Sequence, residues 1–168
     1  MIQRGLAALA LVGVASGAMA NVLGAAWADI RSAEGTRLGG ALIPIADDPL
    51  TVRINIGHLA PGRYGAHLHA VGRCEGPDFT SAGPHWNPAG RQHGTLNSQG
   101  HHLGDLPNLE IGADGTGHLE FSIAGTGRWG NLFDADGASI VIHAAPDDYR
   151  TDPSGNSGAR IACGVLRY

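Results

Sequence analysis

The segment Leu50-Thr51-Val52-Arg53-Ile54-Asn55-Ile56 alternates apolar and polar side chains at every step. Successive side chains of a strand point to opposite faces, so a period of two predicts a strand with one face buried and one face wet. Related segments lie on both sides of it. Ala25–Arg31 and Thr36–Ile45 read as strands joined by the turn Ser32-Ala33-Glu34-Gly35. Leu109–Ile111 and Thr116–Ile123 form a pair with Asp114-Gly115 as the hairpin signal. Ser139-Ile140-Val141-Ile142-His143 is an apolar strand that ends in a histidine, and Arg160–Arg167 is the last strand. With Tyr64–Val71 the expected count is about eight. Turn residues recur roughly every 8 to 12 positions, and no long helical pattern follows the N-terminus, which makes the class all-β, a sandwich or a barrel. A chain of 168 residues suits one domain with a sizeable core.

Charge narrows the partners. All eleven basic residues are arginine, fifteen residues are acidic, and the formal net charge is −4. That balance argues against nucleic acid, and no basic patch offers itself to an acidic membrane. The first twenty residues read as a leader. Arg4 gives a positive start, Leu6 to Val14 is apolar, and Ala18-Met19-Ala20 is a small-x-small cleavage signal. Cleavage after Ala20 and export to the periplasm or beyond are expected, leaving a domain from 21 to 168. Export puts Cys74 and Cys163 in an oxidising compartment, where two thiols pair more often than they stay free. A bridge between them would close a loop of almost ninety residues and contribute roughly 4–5 kcal/mol in the chain-entropy description. Two buried, reduced thiols are the alternative.

Two stretches carry chemistry. Tyr64-Gly65-Ala66-His67-Leu68-His69-Ala70-Val71 places two histidines on one strand face, with Leu68 on the other. Ser81 to Leu106 is a long segment of turn residues containing His85, His93, His101, His102 and Asp105. A long loop without its own strand or helix is usually functional. Imidazole is the commonest metal ligand, and three imidazoles with one carboxylate complete a closed tetrahedral zinc site. Copper in its oxidised state favours a tetragonal set of imidazoles. The bland alternative is a solvated loop in which histidine is frequent. His58 and His118 have no ligand-spaced neighbours and read as surface histidines.

Taken together, the sequence resembles the copper,zinc superoxide dismutases. The motifs that carry the resemblance are Gly65-Ala66-His67-Leu68-His69, Ser81-Ala82-Gly83-Pro84-His85-Trp86-Asn87-Pro88, Gln92-His93-Gly94, His102-Leu103-Gly104-Asp105-Leu106, Val141-Ile142-His143 and the run from Gly155 to Val165. They stand in the family's order and cover essentially all of the mature chain. The resemblance implies an eight-stranded Greek-key flattened barrel, an immunoglobulin-like sandwich, with two long loops holding the metals outside it. It implies one copper and one zinc ion per chain. His67, His69, His85 and His143 match the copper ligands; His85, His93, His102 and Asp105 match the zinc ligands, with His85 shared. Cys74 and Cys163 match the family's intrachain disulfide. Asp147 matches a carboxylate that hydrogen-bonds one histidine of each metal, and Arg160 matches the arginine that attracts the anionic substrate. The Leu-Gly-Asp that follows selects His102 as the ligand and leaves His101 facing solvent.

The implied reaction converts superoxide to dioxygen and hydrogen peroxide by cycling of copper beside a structural zinc, with His85 supplying a proton. The implied class is an oxidoreductase, periplasmic in type, and a homodimer or a monomer, since the family contains both. One departure stands out. The final loop has no lysine, and Pro153 occupies the place of the family's steering lysine. Steering would then fall to Arg160, helped by Arg150. A metal-storage domain on the same fold would be expected to lack a copper ligand, the arginine or the zinc set, and none is missing. A zinc-only domain would have no need of His67, His69 and His143.

Overall fold

A computed structural model describes residues 24–47, 49–124 and 132–168. The expected leader, 1–20, and part of the connection from 125 to 137 lie outside the described residues. Among the described residues there are nine strands: β1 (Ala25–Ser32), β2 (Arg37–Pro44), β3 (Leu50–Ile56), β4 (Gly62–Tyr64), β5 (Ala66–His69), β6 (Leu109–Ile111), β7 (Gly117–Ile123), β8 (Ser139–His143) and β9 (Arg160–Val165). Among the described residues the only helical element is one 3₁₀ turn, Thr80–Ala82.

The alternating segment follows its period except at Thr51, which is buried with its hydroxyl 3.2 Å from that of Ser122. Leu50, Val52, Ile54 and Ile56 of β3 are buried, while Arg53 and Asn55 look outward. Arg53 stands opposite Glu120 on β7, and their side chains pair at 3.1 Å. Seven strands form one antiparallel sheet in the order β5-β8-β9-β1-β2-β3-β7, and β4 pairs with β6 separately. A tight turn at Gly112–Thr116 joins β6 to β7, so the curled sheet is led back to β4 and through Gly65 to β5. Neighbouring strands such as β3 and β7, or β5 and β8, are far apart in sequence, which is Greek-key wiring.

The expected single strand Tyr64–Val71 is divided at Gly65. Tyr64 pairs with Leu109 on β6, whereas Ala66 pairs with Ile142 on β8. The Gly65 N–H donates to the Ala145 carbonyl at 2.9 Å, and its own carbonyl accepts from the His143 N–H at 2.9 Å. A Cβ at this position would lie 2.7 Å from Ser157 Oγ, so glycine permits the close approach at which the strand changes partners.

The barrel interior is filled by Ile30, Ile43, Val52, Ile54, Leu68, Leu109, Ile140 and Ile142, all fully buried. The outer face of β5 and β8 is also buried, by loops rather than by the barrel. There His67, His69 and His143 share a face with Val141, which packs with Phe79, Ala82 and Cys163 in a smaller apolar cluster. Cys74 and Cys163 are bonded to each other, 89 residues apart in sequence.

Candidate metal centre

Strand β5 supplies the first two histidines. Its register sets His67 opposite Val141 and His69 opposite Ser139, with Ala66 and Leu68 turned to the core. The Ser81–Leu106 loop then folds back onto the free edge of β5. Leu68 donates its N–H to the Gly104 carbonyl at 2.9 Å, and its carbonyl accepts from the Trp86 N–H at 2.8 Å. Isolated bridges therefore place His85 beside His69 and Asp105 beside His67. The long loop is ordered by borrowing the hydrogen-bonding groups of an edge strand, which would otherwise stand unpaired.

β8 and β9 add the rest. Ile142 pairs with Ala162, but His143 pairs with Arg160, so Ile161 is an extra residue on β9. Without that bulge Arg160 would fall on the opposite face of the sheet from His143. Bulges commonly re-aim a side chain beside a functional site, and this one brings Arg160 to the histidine face. Its guanidinium donates to the Phe79 and Gly83 carbonyls, both at 2.8 Å. Burial lowers its pKa, opposed by Asp78, from a value so high that it remains a cation.

Two groups of ligand atoms result. The first is His67, His69, His85 and His143, with ligand atoms no more than 4.8 Å apart. In each ring one nitrogen is engaged. His67 Nε2 donates to Asp147 Oδ2 at 2.9 Å, His69 Nδ1 to the Gly83 carbonyl at 2.9 Å, and His143 Nδ1 to the Gly158 carbonyl at 3.2 Å. A carbonyl only accepts, so these partners fix the proton on the outer nitrogen and leave a lone pair on the inner one. The inner atoms are His67 Nδ1, His69 Nε2, His85 Nε2 and His143 Nε2, all buried and without a hydrogen-bond partner. Four convergent orphaned lone pairs on imidazoles are a donor set that suits copper.

The second group gathers on Asp105 Oδ1. His85 Nδ1 lies 2.9 Å from it, His93 Nδ1 3.0 Å and His102 Nδ1 3.1 Å, and the His85 and His102 nitrogens are 3.3 Å apart. Ligands about 2.0–2.1 Å from a tetrahedral ion stand roughly 3.3 Å from one another, so the set fits zinc. The His93 nitrogen is close to Asp105 but not aligned as a hydrogen bond. The other carboxylate oxygen, Oδ2, accepts the Gly94 and His102 N–H groups at 2.9 and 3.0 Å, which orients Oδ1. The four residues whose ligand atoms all lie within 4.8 Å of one another here are His67, His85, His93 and Asp105, while His102 joins through its approach to Asp105 and His85; with Nε2 committed to Asp147, the remaining lone pair of His67 serves the first group. His85 presents one nitrogen to each.

Asp147 ties the groups together. Its two oxygens accept from His67 Nε2 at 2.9 Å and His93 Nε2 at 3.0 Å. Asn108 clamps its backbone, donating to the Asp147 carbonyl at 3.0 Å and accepting its N–H at 2.7 Å. Nothing in the spacing of the sequence singles out Asn108; it is found only once the end of the long loop meets the last one.

Electrostatics follow from burial and these contacts. Burial pushes His67 to about 3, His69 to about 2 and His143 to about 4, and lowers His85 as well, so all four are neutral. For His93 burial alone would act downward, but Asp105 and Asp147 outweigh it and raise the ring to about 9. Burial would raise Asp105 and Asp147, but their histidine partners win and hold both well below the carboxylate range.

A cleft of about 900 Å³ opens onto His85, His102, His143 and Arg160. A second cleft, about 560 Å³, lies beside the disulfide and away from the histidines. Arg150, expected to help Arg160, does not line the first cleft; it reaches the Leu96 carbonyl at 3.3 Å. His101 is half-buried rather than solvent-facing, its Nδ1 2.6 Å from the His102 carbonyl oxygen, and it joins neither ligand group. His58 and His118 are exposed.

A Greek-key barrel bearing two adjoining histidine clusters that share one imidazole is an arrangement that could hold two metal ions side by side. The sequence profile of copper/zinc superoxide dismutase matches residues 42–166. The chain belongs to the copper/zinc superoxide dismutase family, whose enzymes use copper and zinc and take superoxide as substrate. It is 46% identical over 139 residues to the superoxide dismutase-like protein of Bacillus subtilis, covering 79% of this chain and 71% of that one. It is 40% identical over 148 residues to the copper-zinc superoxide dismutase of Caulobacter vibrioides, covering 84% and 85%. A form of the Bacillus protein with two residues changed to histidine superposes with a TM-score of 0.78 at 43% identity, over 84% of this chain and 97% of that one. The Brucella abortus enzyme does so at 0.65 and 27% identity, over 85% and 99%.

Proposed function

We propose that this chain is an exported superoxide dismutase whose copper is held by His67, His69, His85 and His143, and whose zinc is held by His85, His93, His102 and Asp105. The observation that carries this reading is the four buried ring nitrogens that converge without partners beside Arg160. Bound copper supplies a reversible one-electron step, taking one superoxide to dioxygen and a second to hydrogen peroxide. The chain's own residues do the rest. Arg160 holds a small anion at the inner end of the cleft, its guanidinium aimed by the Phe79 and Gly83 carbonyls. His85 Nε2 takes up a proton when free and gives it to the departing peroxide; burial lowers its pKa, which favours release. Asp105 holds the His85 ring, and Asp147 holds the His67 and His93 rings, in fixed orientation. The loops exclude water from the rings, leaving His67, His69 and His93 fully buried.

Export follows from the leader, and the Cys74–Cys163 disulfide fits an oxidising compartment. The mass of the protein recovered from outside the cytoplasm should correspond to a chain starting at Asn21, and its sedimentation will show whether it is a homodimer. The test of function is dismutation by that chain with both metals quantified in the same sample. Activity should track copper. A His143→Ala variant should keep zinc, lose copper and lose dismutation. A second reading, copper storage without catalysis, draws on the relative named only as dismutase-like. Inactivity of the fully loaded, disulfide-bonded wild type would select it.

A further inference from the structure

Among the described residues, the walls of the metal-site cleft carry four charged side chains: Arg91, Arg160, Asp134 and Asp152. Arg160 is half-buried and hydrogen-bonded inside. Arg91 is exposed, and its guanidinium makes no hydrogen bond or ion pair among the described residues. What is anchored is its backbone: its N–H donates to Asn87 Oδ1 at 3.0 Å and its carbonyl accepts from Asn87 Nδ2 at 2.8 Å. This one arginine is thus tied to the rim two residues before His93, with its charge uncommitted. Both acids are in use. Asp134 Oδ1 accepts the Asp136 N–H at 3.1 Å, and Asp152 Oδ1 accepts the His93 N–H.

The charge balance at this mouth is delicate. The whole chain carries a formal −4, so its distant field repels an anion. Among the described side chains of the cleft wall, two arginines stand against two aspartates, and loss of Arg91 would leave one cation against two anions. Local charge at the mouth of a cleft sets the capture rate of a small ion, and superoxide dismutase is itself a standard example of such steering.

We propose that Arg91 is the outer steering cation of this enzyme, relaying superoxide to Arg160, and that it fills the role for which the last loop has no lysine. The proposal rests on the dismutase reading above. Its test uses the copper- and zinc-loaded chain from Asn21 at an ionic strength of about 0.01 M, where charges act over roughly 30 Å, and again at about 1 M, where they act over roughly 3 Å. In Arg91→Gln, kcat/KM should fall about two- to five-fold at low salt and match wild type at high salt. Asp134→Asn, which keeps its acceptor oxygen, should shift the rate the other way. Arg150→Gln should change nothing. Binding of azide, a small monoanion, followed by the copper absorbance, should weaken by a similar factor in Arg91→Gln at low salt only. An Arg91→Gln enzyme as fast as wild type at low salt would overturn the proposal, as would a deficit that persists undiminished at high salt. An inactive wild type would instead overturn the dismutase reading.

Discussion

At the scale of single residues, the centre is a set of rings oriented by acceptors behind them. Asp147 is the most exposed to test, because it serves His67 and His93 at once. Asp147→Asn keeps the shape but offers one acceptor oxygen instead of two. Metal affinity should fall about 10- to 100-fold, read as dissociation constants for both ions; unchanged affinities would remove Asp147 from the ligand network. The histidines, Asp105 and Arg160 stood out as candidates because each sits in a short motif of the resemblance, and Asp147 because it follows His143 by four residues. Asn108, the Gly83 carbonyl and Arg91 did not. Their roles arise where segments distant in sequence meet: Asn108 under Asp147, and Gly83 accepting from both His69 and Arg160. A backbone carbonyl leaves no trace in residue type, so no reading of side chains alone could find it.

At the scale of elements, the strands were legible because their period is strict, and the departures have local causes. The break at Gly65 and the bulge at Ile161 depend on partner strands, and pairing is not a property of one segment. Gly155 shows how tightly the last loop is drawn over the centre. Its φ is +65°, and a Cβ there would collide with the Asp147 carboxylate and lie 2.7 Å from His93 Nε2. Gly155→Ala should therefore cost about 1–3 kcal/mol in unfolding free energy and reduce zinc content as well. Normal zinc content in that variant would show that the loop can move away from Asp147. The disulfide acts on the other loop, the one whose Phe79 and Gly83 carbonyls hold Arg160. By the chain-entropy relation, closing 89 residues contributes about 4.5 kcal/mol. Cys74→Ser should lower the denaturation midpoint accordingly and weaken azide binding; a variant with wild-type azide affinity would show that Arg160 needs no such anchor.

At the scale of the whole molecule, the two sites make stability depend on pH and on metal. In the metal-free chain His67, His69 and His143 are neutral when folded, yet titrate near 6.5 when unfolded. Their contribution is complete above about 6.5 and is lost as pH falls towards about 4 and below. His93 acts in the opposite sense: raised to about 9, it contributes fully below about 6.5 and loses that contribution as pH rises through 9. The thermal midpoint of the stripped protein should thus peak near pH 6.5 and fall more steeply on the acid side, where several rings act together. A midpoint that holds constant from pH 6.5 to 5 would contradict the burial of these neutral rings. With zinc and copper bound, protonation has to compete with the ions, so the acid limb should shift to lower pH. The carboxylate of Asp147 has one more consequence. It grips a ring from each site, so whatever free energy an ion in one site gains from orienting that carboxylate is gained equally when the other is filled first. Zinc loading and copper loading then help each other by the same factor in either order, and a cell that withholds one metal weakens the hold on both.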